Sequence, residues 1–145
     1  MVEMDLPPRA DSVAVARLVI GSLASGVAGF GEERAADLRL AVSEACTNAV
    51  QAQAEADGER RVEVRCHVAP ARIEVSVRDR GRGFDPEAVR RPVDLSDPRR
   101  LDYEGGLGIP LIRLLADFAE FRNLGDGIEV FMVFGPEGPT GRIVS

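Results

Sequence analysis

The sequence predicts a two-layer α/β sandwich, a mostly antiparallel mixed sheet covered on one face by three helices. Three observations carry this. Two helical segments come before any hairpin, two alternating stretches are joined by a three-residue link, and one further helix leads into a second hairpin. Helices bunched in this order cannot all serve as crossovers between parallel neighbours, so they must lie together on one face of the sheet. At 145 residues the chain fits one domain, 1–145, and needs neither disulfides nor metal to bury a core.

Each element has its own signal. Residues 2–6, "VEMDL", alternate and read as an edge strand ended by Pro7 and Pro8. From Asp11 the pattern becomes helical. Val13, Ala16, Ile20, Leu23 and Val27 recur at intervals of three and four, with Asp11 or Ser12 as N-cap and the end near Gly29. A second helix covers 32–55, with Ala35, Leu38, Val42, Ala45, Ala49 and Ala52 in one apolar stripe and Gly58 closing the segment. "RVEVRCHV" and "RIEVSV" then alternate with period two, which places Val62, Val64, Cys66 and Val68, then Ile73, Val75 and Val77, on a buried face. The short "APA" link makes them an antiparallel hairpin.

Residues 85–104 carry three prolines and no sustained period, so they read as a mobile segment with a functional task. "GGLGIPLIRLLADF" opens on glycines and becomes an amphipathic helix, where Pro110 is tolerated in the first turn. Strands at 118–123 and 128–134, joined through "NLGDG", close the fold.

Composition removes several functions. A net charge of −6 repels a phosphate backbone, so nucleic acid is not an expected partner. All 18 basic residues are arginine, which excludes a phosphate loop ending in Gly-Lys-Ser/Thr and a Schiff-base lysine. Cys46, Cys66 and the single histidine, His67, have no zinc spacing and read as two buried reduced thiols and a strand residue, as suits a reducing cytoplasm. No basic leader precedes an apolar run, and no run reaches the ~20 residues of a membrane span.

Three clusters point to chemistry. In "DRGRGF", counting by twos from Ile73 lands on Asp79, so a carboxylate points into the layer between sheet and helices, where it needs a donor such as an adenine amino group. Gly81 and Gly83 let the backbone approach a ligand. A strand ending in a polar turn gives the same pattern. Glu44 and Asn48, four apart beside the apolar stripe, are oxygen groups suited to magnesium or to hydroxyl activation, though such a pair taken alone more commonly forms a solvated helix flank. In "EGGLGIP", amides at a helix start form a phosphate site, or simply a flexible loop with an N-cap.

Together and in this order, "EACTNA", "DRGRGFDP" and "GGLGIPLI" resemble the N-box and the two glycine boxes of the GHKL superfamily ATP-binding domain, most closely its bacterial anti-sigma-factor serine kinase branch, over nearly the whole chain. The resemblance implies Glu44 as general base, Asn48 as magnesium ligand and Asp79 as adenine reader. Gly81 and Gly83 would line the nucleotide, as would Gly105, Gly106, Leu107 and Gly108, of which Gly106 and Gly108 face phosphates. Residues 85–104 would form an ATP lid, whose Arg90, Arg91, Arg99 and Arg100 add positive charge or stay solvated.

The implied activity is that of a cytoplasmic anti-sigma factor and protein serine/threonine kinase. It would bind Mg-ATP, phosphorylate an anti-anti-sigma antagonist protein on serine, sequester a sigma factor and form a homodimer. Two positions depart from the pattern. Ala52 stands where the family often has histidine, and Ile128 follows Gly127 where it usually has a threonine that helps hold the aspartate. The lost hydroxyl is worth about 1 kcal/mol, which leaves binding weaker but intact. The alternatives are a binding module without transfer and a sensor histidine kinase catalytic domain, the latter lacking a phosphoacceptor helix pair.

Overall fold

The computed structural model describes residues 1–81 and 108–138. The elements follow as β1 (Val2–Leu6), α1 (Ala10–Ala24), α2 (Glu32–Ala56), β2 (Val62–Ala69), β3 (Arg72–Arg78), α3 (Gly108–Leu115), β4 (Phe118–Asn123) and β5 (Ile128–Phe134). The strands form one sheet in the order β1-β2-β3-β5-β4, and every pairing is antiparallel. The second hairpin therefore docks through its later strand. That order sets the start of β5 beside the end of β3, with Arg78 opposite Glu129.

Strand alternation and helix periodicity meet at one interface. Val62, Val64 and Cys66 of β2, Ile73, Val75 and Val77 of β3, and Val130, Met132 and Phe134 of β5 are buried on one sheet face. Ala16 and Ile20 of α1, Leu38, Val42, Ala45 and Ala49 of α2, and Ile112 of α3 belong to the same apolar cluster. Each fully buried aliphatic side chain contributes about 1.5–3 kcal/mol. An exposed pair such as Arg65 with Glu3, 3.7 Å apart, contributes about 0–1. Apolar burial therefore holds the layers together.

Cys46 and Cys66 are free and buried, as expected. Burial pushes their thiols up to about 12 and about 11, so both are inert neutral side chains. Among the described residues no helix is long and apolar enough to cross a membrane, and no His, Cys, Asp or Glu cluster could hold a metal by itself.

Three local expectations change. The first helix stops at Ala24, because i to i+3 bonds from Gly26 to Leu23 and from Val27 to Ala24 take over before Gly29 turns left-handed at φ 87. Val27 stays buried, which is why the apolar pattern outlasts the helix. The N-cap is Arg9, with no side-chain cap, and Ser12 Oγ instead donates to the Pro7 carbonyl at 2.6 Å. Val68, expected inside, is 41% exposed where the β2–β3 hairpin ends in its Pro70-Ala71 turn.

Candidate functional site

The sheet register delivers Asp79 where counting by twos places it. One residue beyond β3, its N–H donates to the Ile128 carbonyl at 3.1 Å, extending the pairing with β5 by a step. Its side chain is 5% exposed, and Oδ1 accepts the Gly81 N–H at 2.9 Å. Burial raises the Asp79 carboxyl above its ordinary value, opposed by backbone hydrogen bonds at Gly81 and Ile128 and by the Arg78 charge. Burial thus disfavours the ionised carboxylate despite these donors, and a buried, perturbed carboxyl of this kind is a candidate functional group.

Two glycines owe their identity to it. A Cβ on Gly127, at φ +141, would lie 2.0 Å from the Asp79 carbonyl oxygen. No side chain can enter there. A Cβ on Gly81 would sit 3.0 Å from Asp79 Oδ1 and 3.3 Å from the Ala52 carbonyl. The glycine turn is thus wedged between its own aspartate and the end of α2.

That contact links the turn to the second cluster. Glu44, Asn48 and Ala52 fall at i, i+4 and i+8 on α2, so they form one row along the helix. Asn48 lies about 6 Å and Glu44 about 12 Å along the axis from Ala52. Both side chains are half-buried, and among the described residues neither is tied up in a hydrogen bond or ion pair. The row leads from the Asp79 turn to an uncommitted carboxylate.

Gly108 opens α3, as the glycine-rich start suggests, and Pro110 lies in its first turn. The other end of α3 is anchored. Arg34 Nη1 donates to the Leu115 carbonyl at 2.6 Å and Nε to the Gly135 carbonyl at 2.7 Å, while Nη2 pairs with Asp117 Oδ2 at 2.7 Å. Gly108 therefore sits about 10 Å from that anchor, at the opposite end of the helix. Gly83, Gly105, Gly106 and Leu107, and the lid assigned to 85–104 with its four arginines, lie outside the described residues.

Sequence reasoning overlooked Arg34 and Gln53, both buried polar residues on α2. The signal was present. Each falls in phase with the apolar stripe, Arg34 four residues before Leu38 and Gln53 four after Ala49, where a polar residue requires a partner.

The helix-covered antiparallel sheet thus carries a buried aspartate at one strand end, a glycine turn against it and a Glu-x-x-x-Asn row beside it. Residues 6–134 match the histidine kinase-like ATPase domain family, and the chain belongs to that family. Among its relatives is the serine-protein kinase RsbW of Halalkalibacterium halodurans, 35% identical over 125 residues, 84% of this chain and 75% of the relative. RsbW of Bacillus subtilis is 36% identical over 125 residues, covering 84% and 78%. In fold, the chain is similar to the solved RsbU and RsbW domains of Rv1364c from Mycobacterium tuberculosis, with TM-score 0.66 and 17% identity over 99% of this chain and 34% of that one. The expected family, fold and enzyme class agree with these relatives.

Proposed function

We propose that the chain is an ATP-dependent protein serine kinase that phosphorylates a serine of an antagonist protein and, in its other state, sequesters a sigma factor. The observation carrying this reading is the buried Asp79 carboxylate at the head of the Ala52-Asn48-Glu44 row. An adenine amino group supplies a further donor to Asp79, and a triphosphate extended along the row brings its terminal phosphorus toward Glu44. The relatives named as serine-protein kinases at about 35% identity support the same reaction.

Glu44 takes the proton of the serine hydroxyl as its oxygen bonds to the γ-phosphorus. The bond to the β–γ bridging oxygen breaks, and ADP and phosphoserine result. Asn48 presents a hard side-chain oxygen beside the phosphates. Half-buried and uncommitted among the described residues, that oxygen fits magnesium, which binds through one or two protein oxygens plus phosphates and water. The metal, when bound, neutralises phosphate charge. Gly108 offers helix N-terminal amides to the same anion.

The test is transfer from labelled ATP to a candidate antagonist. Glu44→Ala should cut the transfer rate by about 10²–10⁴-fold while ATP affinity, read by calorimetry, stays near wild type. Undiminished transfer removes the general-base role. ATP binding without transfer by the wild-type chain leaves a regulatory binding module, the reading that Ala52 and Ile128 favour.

A further inference from the structure

Four polar or charged side chains are buried among the described residues: Ser12, Arg34, Gln53 and Asp79. Ser12 bonds the turn before α1, Arg34 fastens α3 and β5, and Asp79 belongs to the nucleotide site. Gln53, at 0% exposure, has no part in the reaction as described. Its Oε1 accepts the Arg80 N–H at 2.7 Å, and its Nε2 donates to the Asp57 carbonyl at 2.9 Å. The amide orientation is fixed by its partners, since a backbone N–H requires an oxygen and a carbonyl requires an N–H.

An apolar side chain would fill this place on the stripe at lower desolvation cost, so the amide must be judged by what it joins. It joins the end of α2 to the residue directly after Asp79. Three successive backbone N–H groups around the carboxylate are thereby committed to three different places. Asp79 N–H goes to Ile128 of β5, Arg80 N–H to Gln53 of α2, and Gly81 N–H to the Asp79 carboxylate itself. The peptide planes flanking Asp79 are fixed from the sheet side and from the helix side together.

We infer that Gln53 is a positioning residue for the nucleotide: it aligns the Asp79 carboxylate and the Gly81 turn with Asn48 and Glu44 on its own helix. This rests on the reading of Asp79 as the adenine reader. Removing the acceptor leaves the half-buried Arg80 N–H without this partner and frees the turn, so base recognition should suffer although Gln53 touches no ligand.

The experiment compares ATP and GTP affinities by calorimetry, with Tm alongside, for the full chain, Gln53→Met, Gln53→Glu and Asp79→Asn. Gln53→Met should weaken ATP about tenfold and shrink the preference for ATP over GTP by a similar factor. Gln53→Glu keeps an acceptor for the Arg80 N–H and should hold ATP affinity within about threefold of wild type even with a lower Tm. A lower Tm for Gln53→Met with unchanged ATP affinity and base preference means a merely structural role and overturns the inference. If Asp79→Asn erases the base preference while Gln53→Met keeps it, the inference alone fails. If Asp79→Asn keeps the preference, the adenine reading fails and the inference with it. Should Gln53→Met not fold, hydrogen exchange in the nucleotide-free wild-type chain decides. A protected Arg80 amide supports the bond, and exchange at an open-loop rate overturns it.

Discussion

Helix α2 is fastened at both ends, and the two fastenings differ in kind. Near its start, Arg34 is a buried charge with all three guanidinium nitrogens paired, to the Leu115 and Gly135 carbonyls and the Asp37 and Asp117 carboxylates, and with the Phe134 ring 4.9 Å from its guanidinium carbon. Asp117 also accepts the Gly135 N–H, closing the network. Near its end, neutral Gln53 holds a turn whose charge, Asp79, is buried with its carboxyl raised by desolvation. A satisfied buried charge serves cohesion. A buried carboxyl whose ionised form is disfavoured is instead a candidate for contact with a ligand.

The sharpest way to break the Asp79 end is Gly127→Ala. Its Cβ would meet backbone at 2.0 Å with a φ of +141, so the start of β5 must shift. A loss of roughly 4 kcal/mol in urea unfolding is expected, combining overpacking with backbone strain. Gly125→Ala, in the same turn with nothing within 4 Å, should cost only about 1–2 kcal/mol for its left-handed φ. Equal losses would dismiss the close approach as the cause.

At the opposite end, Arg34→Met strips Asp117 of its cationic partner and the Leu115 and Gly135 carbonyls of their guanidinium donors. It should destabilise by about 3 kcal/mol, with the ATP affinity of the remaining folded protein unchanged. A parallel loss of affinity would show that the two ends are not separable in function.

The finest test is pH. With its folded pKa raised above the ordinary 3.8, Asp79 favours the fold only when protonated. Its contribution is full below the unfolded value and is lost as pH rises through the folded one. On the proposed reading of Asp79, adenine recognition requires the ionised carboxylate, so ATP affinity is lost as pH falls through that same folded value. Relative to Asp79→Asn, the nucleotide-free wild type should thus lose Tm, and gain ATP affinity, over one shared window above pH 3.8. Two separate windows would assign the titration to other groups.

The fold was legible because periods of two and 3.6 settle the faces of β2, β3, α2 and α3 with little tertiary help. The same arithmetic exposed Asp79. The ends of elements were less legible. Val27 continues the apolar stripe of α1 through a turn, and Val68 keeps strand alternation at an exposed hairpin end, so pattern alone misjudges both. Gly127 was noticed for the isoleucine that follows it, but the reason for the glycine needs β5 laid against β3. Arg34 and Gln53 were overlooked because their partners lie as far as 101 and 27 residues away in sequence. Only their unlikely polarity on an apolar stripe betrayed them.

Pinned at both ends, α2 would act, on the proposed function, as a fixed ruler between the base and the reacting phosphate. Under the proposed chemistry, ADP keeps its hold at the Asp79 mark but no longer reaches Glu44, about 12 Å along the axis from Ala52. Spent and fresh nucleotide are therefore told apart at the Glu44 end, while the rate at which the spent one departs is set at the other.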